Sequence, residues 1–172
     1  MIENAREAAA RLGVKLGVAT FEPPPRRFFQ PDAPPFRLMT SRRREIALDA
    51  LGVDEIHLLR FDAVMAAMTD QEFCQRVIVD EIGAASVSVG FDFRFGKGRM
   101  GDVDGLKRIG AELGFEVKIV AEVKGDGVKV SSSRVREAIE RGDMAAAAEA
   151  LGGAWVFDGI VEGKSSGRAK IV

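Results

Sequence analysis

The sequence predicts an α/β domain whose parallel sheet is covered by helices on both faces. Two observations carry this. Short apolar strand patterns alternate with amphipathic helical patterns at near-regular intervals, which is what right-handed crossovers between parallel strands produce. Glycine follows the helical patterns at Gly13, Gly52, Gly83 and Gly114, where a left-handed residue stops a helix. The 172 residues, 47% hydrophobic and 30% charged, suit one compact domain or one with a short appendage. That composition excludes a disordered or fibrous chain.

The elements follow in order. Ile2, Ala5, Ala9 and Leu12 recur at helical spacing, and Leu16 to Phe21 reads as a short buried strand. The next stretch, E-P-P-P-R-R-F-F-Q-P-D-A-P-P-F-R, is expected to exclude a regular helix or a central strand. A long proline-rich loop between regular elements reads as a functional lid. Ser41 to Leu51 is the next helix, and Ile56 to Leu59 the next strand. Thr69 and Glu72 form a capping box that starts a helix running to about Ile82. Ser86 to Val89 is a strand, Gly90 to Asp102 a glycine-rich loop, Val103 to Leu113 a helix and Glu116 to Val120 a strand. Lys124 to Gly127 reads as a turn, followed by a strand end at Val128 to Val130. A helix starts in Ser131-Ser132-Ser133, and another runs from Met144 to Leu151. Ala154 to Glu162 and Arg168 to Val172 alternate like antiparallel strands. The pattern opens on a helix, so the strand expected before it is absent.

Charge and cysteine content narrow the function classes. Twenty-five Lys and Arg balance 26 Asp and Glu, for a formal charge of −1. No excess positive charge exists for general binding to nucleic acid or an anionic membrane. Cys74 is the one cysteine, so no internal disulfide forms, and no neighbour completes a metal-ligand spacing. A buried thiol is the expected state. No apolar run approaches the roughly 18 residues of a spanning helix, and the start lacks the regions of a signal peptide. A cytoplasmic protein is expected.

Several stretches bear on chemistry. Ligands on parallel sheets bind outside the strands' carboxyl ends, and the loops after Phe21, Phe61 and Val89 leave from such ends, as does the serine run. Gly96 to Gly101 matches G-x-G-x-x-G ahead of a helix, a dinucleotide pattern, but F-D-F-R-F separates it from the strand. The alternative is a loop with solvated Arg94, Lys97 and Arg99. V-S-S-S-R-V-R offers hydroxyls and free N–H groups at a helix start, with Arg136 able to fork onto the same anion. A serine cap on an ordinary helix is the competing reading. F-E-P-P-P-R-R-F-F could stack a planar ring or simply pack as a surface loop. Arg42 to Arg44 reads as a solvated helix face. His57, the single histidine, lies in an apolar strand and reads as a satisfied core residue.

Taken in this order, T-F-E-P-P-P-R-R-F-F, G-F-D-F-R-F-G-K-G-R-M-G-D and V-S-S-S-R-V-R-E resemble the adenylyltransferase module of bacterial bifunctional riboflavin kinase/FAD synthetase. The resemblance covers residues 2–151. A-W-V-F-D-G-I-V-E-G is similar to the first strands of the kinase domain that follows in that family. The resemblance implies a Rossmann-like, doubly wound sheet of the nucleotidyltransferase type over residues 1–151, with its first strand missing. It also implies the beginning of a riboflavin kinase-like β-barrel domain over residues 152–172. The implied reaction transfers AMP from ATP to FMN with magnesium, giving FAD and pyrophosphate. Ser132, Ser133 and Arg136 would be catalytic and would hold the ATP phosphates, with Asp92 and Phe95 also at the nucleotide. Phe21, Pro23, Pro25 and Phe29 would border the flavin, and no protein metal site is implied. The family's first strand ends in H-x-G-H, which this chain lacks, and Pro24 stands where the family has histidine. Reduced activity is therefore expected. A non-catalytic flavin- or nucleotide-binding remnant and a dinucleotide-dependent oxidoreductase are the alternatives.

Overall fold

The computed structural model describes residues 1–33, 37–122, 124–125, 128–129, 131–156, 161–165 and 168–171. Of the expected elements, Asp126, Gly127, Val130, residues 157–160 and Val172 lie outside them. The chain divides into two units, Met1–Ala33 with Asp49–Glu122, and Pro34–Leu48 with Val123–Val172. Each is described by itself.

In the first unit the elements run α1 (Ile2–Leu12), β1 (Gly17–Glu22) and α2 (Pro25–Phe29), followed by α3 (Ser41–Ala50), most of which falls in the second unit. Then come β2 (Glu55–Arg60), α4 (Ala63–Ala67), α5 (Asp70–Phe73) and β3 (Ser86–Gly90). The unit closes with α6 (Val103–Leu113) and β4 (Glu116–Val120). β1 pairs with β2 and β3 with β4, both in parallel, as two separate two-stranded sheets. Helices and parallel strands alternate as the sequence predicts, but among the described residues the strands do not join into one sheet.

In-register pairing of Phe21 with Leu59 directs both toward the core, since paired residues share a face. Leu59, Phe73, Val89, Phe95, Leu106 and Ile109 are among the buried residues that form this core. Gly110 lets α6 lie close to β4. A Cβ there would stand 2.8 Å from the Phe115 carbonyl oxygen and 3.0 Å from its ring. Gly110→Ala is expected to destabilise the unit by about 1–2 kcal/mol, because overpacking outweighs the gain in helix propensity. Urea unfolding measures this directly.

Three sequence expectations need correction. The proline-rich segment does contain a helix, α2, because Pro24 sits at the N-cap and Pro25 in the first turn. A proline there gives up an N–H that has no helical partner anyway. The capping box at Thr69 and Glu72 is present, but after Phe73 the helix continues as a π-helix over Cys74–Glu81. His57 is not enclosed in the core. It shares the Leu59 face, but its side chain is 27% exposed and its Nε2 lies 3.7 Å from a Glu55 oxygen. Neighbouring Gly17 and Ala19 are too small to cover the ring.

Cys74 is fully buried, and burial pushes its thiol up to about 12. With almost no thiolate at neutral pH, the group is inert. Iodoacetamide at pH 8 is expected to leave the folded protein unmodified and to label it fully in urea, as read by mass spectrometry.

The second unit holds α7 (Ser132–Glu140) and α8 (Met144–Leu151), which pack together. It also holds two short antiparallel pairings, Lys124–Gly125 with Val128–Lys129 and Val161–Ser165 with Arg168–Ile171. The latter begins its first strand at Val161 among the described residues, later than the alternation at Ala154 suggests. Trp155 Nε1 donates to the Leu38 carbonyl at 2.7 Å, tying the segment after α8 to the one before α3. Among the described residues, none of these strands closes into a barrel.

Candidate functional site

The first unit places an aromatic surface at the carboxyl ends of β1 and β2. The cis Glu22–Pro23 bond leads into α2, and Arg27 donates to the Ala33 carbonyl at 2.8 Å, fastening the segment after the helix. Phe28 and Phe29 meet edge to face at 5.2 Å between centroids. Phe61, just beyond β2, touches both of them edge to face, at 5.4 and 5.8 Å, and touches Phe21 at 5.7 Å. Such arrangements suit the ring quadrupoles and stiffen the group. Phe29 remains 64% exposed, so the cluster offers ring surface to solvent. Of the residues expected to border a flavin, Phe21 and Phe29 are joined here through Phe61. Pro23 is exposed and Pro25 half-buried beside them in sequence. Sequence reasoning missed Phe61 and Phe28. The signal was available, since the loop after Phe61 leaves a strand's carboxyl end.

The glycine-rich segment starts where β3 ends. Asp92 is exposed there, and a side chain at Gly90 would stand 3.3 Å from its Oδ1. Phe95 and Gly101 exchange backbone hydrogen bonds of 3.1 and 3.0 Å, closing the loop on itself. Gly96, Gly98 and Arg99 have φ of 71°, 63° and 60°. Gly96 is needed on two counts, because a Cβ would also lie 2.9 Å from the Asp70 nitrogen. Phe95, expected at the nucleotide, has its ring buried, stacked on Phe93 at 5.5 Å and packed on Phe73 at 5.6 Å. The same ring lies against Gly101, where a Cβ would come within 2.9 Å of it. Asp102 caps α6, its Oδ1 accepting from the Gly105 N–H at 2.9 Å. A carboxylate already fills the place a dinucleotide pyrophosphate would take at that helix start, which counts against the oxidoreductase reading.

The second unit carries Ser132, Ser133 and Arg136 on the first turns of α7. Ser131 is the N-cap, its hydroxyl accepting from the Arg134 N–H at 3.3 Å, and its carbonyl accepts from Val135. The N–H groups of Ser132 and Ser133, in the first turn, have no partner within the helix. Both serines are exposed and Arg136 is half-buried. Arg134 does not join them, since it reaches Glu149 on α8 at 3.5 Å. Two exposed serines at a helix start, with an arginine one turn on, have the chemistry of an anion cradle.

The sequence profile of the FAD synthetase family matches residues 1–134, which include the aromatic loop, the glycine-rich segment and both serines. The chain belongs to the FAD synthetase family. It is 39% identical over 152 residues to the bifunctional riboflavin kinase/FMN adenylyltransferase of Pseudomonas fluorescens, covering 88% of this chain and 49% of that protein. With the protein of the same name from Escherichia coli K12 it shares 34% identity over 169 residues, 98% of this chain and 54% of the other. The chain thus spans about half the length of these curated relatives. A solved structure named Macrolide-efflux Protein, from Streptococcus pneumoniae, superposes with a TM-score of 0.86 at 30% identity, over 99% of this chain and 58% of that one. Among the described residues of the present chain, no helix is long and apolar enough to cross a membrane.

Proposed function

We propose that this chain is the FMN-adenylylating half of a longer enzyme, transferring AMP from ATP to FMN to give FAD and pyrophosphate. The observation that carries the proposal is the family match over residues 1–134, which takes in the first two motif stretches and the third as far as Arg134. A phosphate oxygen of FMN attacks the α-phosphorus of ATP, a new P–O–P bond forms, and the bond to pyrophosphate breaks. Nothing in this needs a covalent intermediate, so the protein's work is positioning and charge stabilisation. Phe21, Pro23, Pro25 and Phe29 border the isoalloxazine. Asp92 and the backbone around Phe95 contact the nucleotide. Ser132 and Ser133 donate to the phosphates through N–H and hydroxyl, while Arg136 neutralises charge as pyrophosphate departs. Magnesium enters with ATP as part of the substrate. Among the described residues no cluster of three His, Cys, Asp or Glu side chains could cage a metal, and Asp92 suits an ion held mainly by phosphates.

The same reading makes the two sheets halves of one doubly wound sheet, with a further parallel strand between β1 and β3. It is supported by each of the four strands pairing on one side only among the described residues. Buried hydroxyls of Thr20, Ser86 and Ser88 on these strands, which have no hydrogen-bond partner among the described residues, also support it. In this reading residues 1–151 form the adenylyltransferase domain, and 152–172 open a kinase-like β domain. The enzyme works in the cytoplasm on soluble substrates, without nucleic acid or membrane partners. Incubation with FMN, ATP and magnesium, followed by chromatography, tests the function. FAD supports it, whereas retention of both ligands without FAD favours a binding remnant.

A further inference from the structure

We propose that Phe61 is a positioning residue for the flavin substrate, holding the α2 aromatics in the spacing that accepts a planar ring. The inference rests on the FMN reading above and goes beyond it to a residue outside the expected flavin border. Among the described residues, Phe61 is the one ring that touches Phe21, Phe28 and Phe29 together, always edge to face and always within 5.8 Å. It is itself half-buried, and Phe29, which it supports, is 64% exposed. The exposed ring is therefore the contact surface, and Phe61 is the post behind it. β2 anchors that post, since the Phe61 N–H donates to the Glu22 carbonyl at 3.1 Å where β1 and β2 end together. Without it, α2 keeps its prolines and the Arg27 tie but loses the ring contacts that orient Phe28 and Phe29 over the strand ends. A flavin then meets a mobile ring surface and must order it on binding.

The test is titration of FMN fluorescence with the full chain, alongside the visible absorption of the bound flavin and thermal unfolding. Phe61→Leu keeps apolar bulk and removes the ring edges. It is expected to raise the FMN Kd about tenfold, within the worth of one or two lost ring pairs, and to blur the structured visible band of the stacked flavin. The unfolding midpoint is expected to stay within a few degrees, and Phe61→Tyr to restore both binding and spectrum. If Phe61→Leu does not fold, Phe61→Met is read by the same criterion. Wild-type affinity and spectrum in the Leu or Met variant, or a tenfold loss in Phe61→Tyr, overturns the role of Phe61 and leaves the FMN reading intact. A wild-type chain that binds no FMN overturns that reading, and this inference with it.

Discussion

Replacing Arg136 by alanine is expected to lower kcat/KM for ATP roughly ten- to a hundredfold in an active form of the enzyme. Arg136 lies one turn along α7 from Ser132 and Ser133, whose N–H groups have no partner within the helix. A fork at that position makes charge-assisted hydrogen bonds to a phosphate, worth about 1.5–3 kcal/mol. Because charge grows on the leaving pyrophosphate, the loss falls on the transition state and appears in kcat/KM. Steady-state assays at varied ATP, with circular dichroism to establish folding, check this. An unchanged kcat/KM in a folded variant removes Arg136 from the site.

A larger effect is expected from histidines. The chain holds one, His57, beside Glu55 at the amino half of β2, whereas ligands on parallel sheets meet the carboxyl ends. In the proposed reaction the α7 cradle stabilises one side of the triphosphate, and the H-x-G-H pair that the family resemblance implies would serve the other. One preorganised donor is worth a hundred- to thousandfold, about 2.7–4 kcal/mol. Adding an upstream segment that ends in H-x-G-H is therefore expected to raise FAD formation at least a hundredfold over the 172-residue chain. Part of the gain would come from filling the place between β1 and β3. Equal rates for the two forms would mean that the histidines contribute nothing here.

What the sequence made legible was what local chemistry decides. The Thr69 and Glu72 capping box needs only residues three apart, and Gly13 and Gly114 stop their helices at φ of 67° and 86°. Of the proposed site, the serine run was legible as a helix start and the loop after β1 as a place rich in phenylalanine. What escaped depends on contacts between distant parts of the chain. The place of Phe61 at a strand's carboxyl end was legible, but its ring contacts with Phe28 and Phe29 join distant parts of the chain, and no spacing along the chain shows them. The π-helix at Cys74–Glu81 carries apolar residues at intervals an α-helix also explains, so periodicity could not separate the two. α2 escapes a reading that weighs proline as a breaker without regard to its place in the first turn. His57 escapes too, because strand alternation tells the face and not whether the face is covered at that end.

The most direct test follows the fate of the α-phosphate. The protein, alone and extended upstream, is incubated with FMN, magnesium and ATP labelled at either the α- or the γ-phosphorus, and the flavins are separated by chromatography. Transfer of AMP predicts α-label in FAD, γ-label only in pyrophosphate, and one pyrophosphate released per FAD formed. An absence of α-labelled FAD from both forms, or γ-label appearing in a flavin, would contradict it.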